Sequence, residues 1–420
     1  MKMSEGYKKF LVLWTGELIS SVGGGLTSFG LTVYVFSKTG SAAATSLIAL
    51  LAFLPGLLLG MPAGVLADRT DRRLLMMLGD GLSALGLIYI LLCMLRGGAE
   101  YWQICVGVTI SSVFSALIDP AYKATVSDLL TEDEYASSSG MVSIAGSARY
   151  LLSPLLAGLL LTVADISVLL VIDIMTFFVT AGATAVVRKS LQPHSRAASS
   201  SFLADMKAGF DAVRGSRGLL TLVVITALMT FCVGAMQILA EPMLLSFTSS
   251  RVLGITETVC ACGMLVSGVL LGIKWRKSGF VRLLSVSLGF AGIFMFLFGL
   301  NEELILIGSA GFAFFAMIPL ANTGLDYLVR TNTENELQGR VWGLVGFISQ
   351  LGYVFAYGLS GVLSDRLAAA FDISVGRGSA AVIRAAGIVL AVLAAGLYMS
   401  KSVRSLEKSS RTQEQAINAG

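Results

Sequence analysis

The sequence predicts an all-α integral membrane protein, with twelve transmembrane helices forming two pseudo-symmetric six-helix bundles. Three observations predict it. Only 13% of the residues are charged and 55% are hydrophobic, whereas a soluble domain carries about 25% charged residues. The apolar runs are continuous and about 20 residues long, enough to cross the hydrocarbon as helices and unlike the short alternating strands of a barrel. Finally, the Lys and Arg residues fall mainly on one side of the resulting spans.

Taken in order, the first run, 10–36, is too long for the apolar core of a cleavable signal. No small-residue cleavage site follows it, so it reads as a span. Spans two and three, 43–66 and 74–95, leave a short connection that holds GVLADRTDRR (64–73), five of whose ten residues are charged. Spans four to six, 102–121, 138–163 and 166–187, complete the first bundle. A polar stretch containing RAASSS leads into SFLADMKAGFDAVRG, where Phe202, Met206, Phe210 and Val213 recur at helical spacing with charges between them. That pattern predicts an amphipathic helix on the inner membrane surface. Spans seven to twelve follow at 219–246, 253–273, 281–300, 303–325, 341–363 and 380–399. The expected organisation is a first bundle over 1–190, a cytoplasmic linker with its amphipathic helix over 191–217, a second bundle over 218–400 and a cytoplasmic tail over 401–420.

With the N-terminus inside, 23 of the 30 basic residues lie in cytoplasmic segments and 6 lie outside; Arg149 falls within a span. Both termini are therefore expected in the cytoplasm of a plasma-membrane, multi-pass protein. The halves echo one another. GVLADRTDRR at 64 aligns with GVLLGIKWRK at 268, and the Pro120 to Gly140 interval recurs from Pro319 to Gly339. Parallel repeats of this kind are one transporter architecture.

Several chemistries are excluded. The cysteines, Cys93, Cys105, Cys232, Cys260 and Cys262, lie in apolar runs and read as buried small hydrophobes without disulfides. The single histidine, His194, sits in the polar linker. No metal cluster, nucleophile–base pair or nucleotide-binding loop is visible. Neither an enzyme nor a cofactor is expected, and ATP is not the fuel. The net charge of +4 gives no reason to expect a nucleic-acid partner.

A connection carrying both signs of charge cannot enter lipid, so GVLADRTDRR fixes a tight hairpin. Asp68 lies just before span three, where a carboxylate can face a helix N-terminus. The spacing G-x-x-x-D-R-x-x-R-R, formed by Gly64, Asp68, Arg69, Arg72 and Arg73 between the second and third of twelve spans, resembles the signature loop of the major facilitator superfamily. Asp71 stands where that family usually has Gly. The resemblance implies the major facilitator fold and a loop that latches a cytoplasmic gate, with Asp68 approaching the start of span eleven near Gly339 and Arg340. Asp119, before Pro120 at the inner end of span four, would lie within reach of the loop's arginines and is assigned to the gate.

Other stretches resemble the drug-export branch, above all macrolide-efflux proteins. They are Leu13-Trp14 with Gly16, DRTDRR, Gly79-Asp80, SPLLAG at 153–158, Ile172-Asp173, ITETVCACGMLVSGVLLG and the GRV before span eleven. SPLLAG is similar to the antiporter stretch Gly-Pro-x-x-Gly-Gly. Pro154 and Gly158 keep its small, helix-packing character, but Arg149 replaces the Gly that precedes that stretch in the family.

Ionisable groups inside a span are costly and usually face a cavity or a partner. Six are singled out: Glu17, Asp80, Asp119, Arg149, Asp173 and Glu241. Glu17 shares a helical stripe with Ser20, Ser21, Gly24 and Ser28, and Glu241 shares one with Thr230, Gly234 and Gln237. The resemblance implies that spans one, four, seven and ten line a central cavity. Glu17, Arg149, Gln237 and Glu241 are therefore the candidate proton and substrate residues, with Glu17 either a proton carrier or a structural hydrogen-bond partner. Arg149 requires an acid, Glu17 or Asp119. Asp80 and Asp173, on spans three and six, are expected to be structural.

The sequence thus leads to a secondary transporter that exports a small amphipathic compound, drug- or macrolide-like, by proton-coupled alternating access. Its expected partners are that substrate, protons and the lipid bilayer, and it is expected to act as a monomer. Export of an endogenous metabolite, siderophore or lipid is an alternative, and a non-transporting receptor or scaffold is another.

Overall fold

The computed structural model describes residues 4–188, 202–273 and 279–407. Among these the regular structure is helical. In chain order it comprises α1 (Glu5–Thr39), α2 (Ala42–Arg69), α3 (Arg72–Leu95), α4 (Tyr101–Ser115), α5 (Ile118–Leu129), α6 (Glu132–Leu151), α7 (Ser153–Leu160), α8 (Ile166–Arg188) and α9 (Phe202–Gly215). There follow α10 (Arg217–Leu245), α11 (Ser250–Ile273), α12 (Phe280–Phe298), α13 (Leu304–Thr331), α14 (Gln338–Phe371) and α15 (Val375–Met399). The RAASSS stretch, His194, most of the basic end of GVLLGIKWRK (274–277) and the tail from 408 onward lie outside the described residues.

Among the described residues, twelve segments are long and apolar enough to cross a membrane, one for each span expected from the sequence. Their apolar side chains remain widely exposed, as at Leu85 (52%), Val392 (65%) and Ile305 (79%). Exposed apolar surface on this scale fits a protein solvated by lipid. The helices outrun the apolar runs because caps, not hydropathy, set their ends. Ser4 accepts from the Tyr7 N–H and caps α1, which starts five residues earlier than the apolar run, and Gly40, at φ 61°, closes it in the left-handed region.

Two spans are broken, each beside a proline. The fourth runs from Tyr101 to Leu129 but parts at Ala116–Leu117, ahead of Pro120. The fifth parts at Leu152, which leaves Pro154 in the first turn of α7, where its missing N–H costs nothing.

The chain forms two compact units. The first holds α1, α3 to α8, nearly all of α2, and Thr248–Thr258 at the start of α11. Its core has two apolar clusters. One joins Phe10 and Leu13 of α1 to Leu75 and Met76 of α3 and to Ala121, Tyr122 and Val126 of α5. The other joins Leu31 and Val35 to Ala84, Leu87 and Ile90, and to Leu170 and Ile174 of α8. Both clusters take early residues with early and late with late, so α1 and α3 run in the same direction. Close backbone contact joins α3 to α4, where Gly86 lies against the Gly107 carbonyl and leaves no room for a side chain. Gly158 and Gly254 meet in the same way, α7 against the Thr248–Thr258 segment.

The second unit holds α9, α10, α12 to α15, the rest of α11 and Ser41–Ala43. Gly292 of α12 packs against the Gly387 carbonyl of α15, and Gly352 of α14 against the Ala227 carbonyl of α10. Asp365 of α14 accepts hydrogen bonds from Ser41 Oγ and from the Ala42 and Ala43 amides (2.5, 2.9 and 3.1 Å). The linker helix α9 packs at Gly209 against Arg340 and Leu344 of α14, with Val213 buried and Phe210 exposed. A helix with a glycine on its apolar face can bring its backbone close to another helix.

Candidate functional site

The signature loop is an ion-pair network within the first unit. Asp68 occupies the last turn of α2 and pairs with Arg72, four residues on (3.2 Å). Arg72 reaches across to Asp128 of α5 (2.8 Å) and donates to the Ala124 carbonyl. Arg73, almost fully buried, points to the same Asp128 (3.8 Å). Arg69 is exposed, and a Cβ added at Gly64 or at Gly339 would meet nothing within 4 Å.

Asp71 caps α3, accepting from the Arg73 and Leu74 amides, and accepts from Arg188 Nε at the end of α8 (2.7 Å). Burial acts to raise the Asp71 pKa, but the bond from Arg188 and those two amides outweigh it and hold the carboxyl below its usual range. The helix start expected to face Asp68 therefore belongs to Asp71. The departure from the family's usual Gly has a structural use, since Asp71 ties α8 to the loop.

Two expected partnerships are replaced. Asp119 pairs with Lys123 on its own helix (2.8 Å), and the loop's arginines are served by Asp128, one residue before the end of α5. Nine residues of α5 separate the two acids, so only the later one reaches the loop. Arg149 forms no salt bridge with Glu17 or Asp119 among the described residues. It is exposed in the last turn of α6, where a cation complements the carbonyl end of the helix, and its stem packs at Gly25.

Deeper in the first unit are three carboxylates. Asp173 of α8 is 2% exposed and accepts from Thr176 Oγ1 (3.3 Å); the absent side chain of Gly23 leaves it room against α1. Glu17 of α1 is half-buried and has no hydrogen-bond or ion-pair partner among the described residues. Asp80 of α3 is 1% exposed, and its Oδ2 has no hydrogen-bond partner among the described residues. The helices around them are well tied. Trp14 Nε1 donates to the Met141 carbonyl (2.6 Å), joining α1 to α6, and Thr180 Oγ1 donates to the Gly16 carbonyl, joining α8 to α1. The stripe above Glu17 stays open: Ser20 and Ser21 are half-buried, Ser28 is exposed, and a Cβ at Gly24 would meet nothing within 4 Å.

In the second unit, Gln237 accepts from the Tyr357 hydroxyl (3.4 Å), and Gly234 lies tightly against Tyr353 and Ala356 of α14. Thr230 likewise faces Gly352. The stripe expected to line a cavity is thus largely a seam between α10 and α14, with Gln237 and Glu241 half-buried near one end. Sequence reasoning passed over Asp128, Asp365, and Glu257 within ITETVCACGML. Glu257 is half-buried in α11 and visible as an acid in an apolar run. Asp128 and Asp365 make contacts that only the fold brings together.

The family model for the Major Facilitator Superfamily matches residues 13–357. Macrolide efflux protein A of Streptococcus pyogenes is 26% identical over 370 residues, 86% of this chain and 90% of that protein. The protein of the same name from Enterococcus faecalis is 26% identical over 323 residues, 74% of this chain and 98% of its own. In fold, the chain is similar to a bacterial homologue of the iron transporter ferroportin crystallised in its inward-facing state. The TM-score is 0.74 at 14% identity, covering 95% of this chain and all of that one. The chain, a multi-pass integral membrane protein, belongs to the Major Facilitator Superfamily of transporters.

Proposed function

We propose that this transporter exports a small amphipathic compound of macrolide-like character, driven by protons moving inward through an alternating-access cycle. Glu17 is the observation that carries the reading. It is a half-buried carboxylate without a hydrogen-bond or ion-pair partner among the described residues, on an α1 stripe open at Gly24 and Ser28. A carboxylate kept in a membrane span without a fixed partner costs stability, and proton relays are a use that repays such a cost. The macrolide-efflux relatives supply the substrate class. The excess of Lys and Arg in the segments read as cytoplasmic supports cytoplasmic termini in a bacterial plasma membrane.

The test uses inverted membrane vesicles with an acidic interior and a radiolabelled macrolide. The expected result is gradient-driven accumulation by the native protein. In Glu17→Gln that component is lost, while exchange of labelled for unlabelled macrolide across the membrane persists. Gradient-driven accumulation that survives Glu17→Gln removes the residue from coupling.

A further inference from the structure

The second unit carries a cavity that the transport reading does not use. It has a volume of about 400 Å³ and lies where α10 and α12 end and α15 begins. Ligand sites in proteins span about 300–1,000 Å³. Ser246 lines it just after α10, Leu300, Asn301 and Glu302 just after α12, and Arg377 and Arg384 from α15. Arg384 lies seven residues beyond Arg377, so the two share one side of α15, about 10.5 Å apart along its axis.

The two arginines are served differently. Arg377 is in the first turn of α15, and its Nε donates to Glu302 Oε1 (3.2 Å). Arg384 is half-buried deeper in that apolar helix, with its stem packed at Gly299. It has no hydrogen-bond or ion-pair partner among the described residues. The carbonyl ends of α10 and α12 border the cavity as well, at Ser246 and Gly299, yet Arg384 donates to neither. A cation inside an apolar helix is costly and is normally paired. Glu302 is the one acid among the lining residues and is engaged with Arg377, so the lining holds one positive charge in excess.

Two features fix the chemistry of a ligand here. A guanidinium presents a planar set of donors that matches phosphate or carboxylate oxygens two at a time. Beyond Arg384 the same side of α15 turns apolar and exposed, with Ile388 at 52% and Val392 at 65%, and Leu300 of the lining is 41% exposed. An anionic head against the arginine and an apolar body along the helix describe a phospholipid rather than a free anion. With Glu302 taken up by Arg377, no acid of the lining is left to receive a cationic headgroup, which favours a lipid of net negative charge.

We infer that the cavity binds the phosphate headgroup of an anionic phospholipid, held mainly by Arg384, with Arg377 and Asn301 as further donors and the acyl chains lying over Ile388 and Val392. The inference is independent of the coupling role of Glu17.

The experiment measures radiolabelled phosphatidylglycerol bound to the purified, immobilised full-length protein in detergent, counting only label displaced by excess unlabelled phosphatidylglycerol. The native protein should bind it saturably, with phosphatidylcholine a weaker competitor. Arg384→Gln, which removes the charge and keeps most of the stem, should weaken the affinity about tenfold, the equivalent of one charge-assisted hydrogen bond. Arg366→Gln, which removes an exposed cation of α14 outside the cavity, should leave it unchanged. Glu302→Gln frees Arg377 and should tighten binding severalfold.

Affinity that ignores Arg384→Gln, or that falls as far in Arg366→Gln, overturns the inference. If Arg384→Gln does not fold, unchanged affinity in Glu302→Gln overturns it in its place. Inorganic phosphate that displaces the label as effectively as phosphatidylglycerol also overturns it, since the occupant would then be a free anion.

Discussion

The two ends of one short stretch of α3 treat charge in opposite ways. At its start, Asp68, Asp71, Arg72 and Arg73 are all in ion pairs, with partners supplied by α5 and α8. Two turns later, Asp80 is more deeply buried and has an oxygen with no partner. Charge at a helix end can be settled locally, because loops and neighbouring termini offer counter-charges and backbone amides. Charge in the middle of a bundle has only what facing helices present, and among the described residues they give Asp80 Oδ2 no hydrogen bond. The first arrangement ties the loop to its neighbouring helices, whereas the second leaves a buried polar atom unsatisfied.

The most damaging way to break the contrast is to remove the hub of the paired end. The Arg72 side chain is 11% exposed and serves both Asp68 and Asp128, which are 43% and 32% exposed. Arg72→Ala strands two partly solvated acids and should cost about 2–3 kcal/mol, between the exposed and fully buried limits. The cost would be read as a lower thermal unfolding midpoint of the purified protein in detergent. Arg72→Lys should recover only part of it, since one ammonium cannot reproduce the spread of a guanidinium across Asp68, Asp128 and the Ala124 carbonyl.

The opposite manipulation sharpens the contrast. Asp80→Leu replaces an unsatisfied buried acid with an apolar side chain of similar size, between Met76 and Ala84. Because leaving such a group unpaired costs about 1–3 kcal/mol, this variant should unfold at a higher temperature than the native protein. A variant that is less stable than the native protein would mean that Asp80 is a structural acid.

The fold was legible because lipid imposes a long, simple signal. Twelve apolar runs read as twelve spans, but the breaks at Ala116–Leu117 and Leu152 lie inside runs that hydropathy reads as continuous. The pairing of side chains was much less legible. Nothing in the spacing of Asp119 and Asp128 says which will reach the loop, since that depends on where Pro120 interrupts the fourth span. Asp68 and Asp71 both stand near the start of α3, and the choice between them turns on where α2 ends, a boundary that hydropathy does not register. Arg149 was expected to need an acid because it lies within an apolar run, but the break at Leu152 places it in a last helical turn. Glu17 was legible as a group out of place.

The smallest expected effect probes the paired end through pH. Asn caps helices about as well as Asp, so Asp71→Asn keeps the amide bonds of α3 and removes only the charge facing Arg188. That pair is partly exposed, with 42% of the Arg188 side chain accessible, and its loss should cost no more than about 0.5–1 kcal/mol at neutral pH. Because the folded-state pKa of Asp71 is lowered, its contribution is present above the unfolded value of about 3.9 and disappears as pH falls through the folded value. The difference in unfolding midpoint between native protein and Asp71→Asn should therefore be constant from neutral pH down to about pH 4 and close on further acidification. A difference that instead opens as pH falls would reverse the sign of the linkage and show that Arg188 does not hold Asp71 in its charged form.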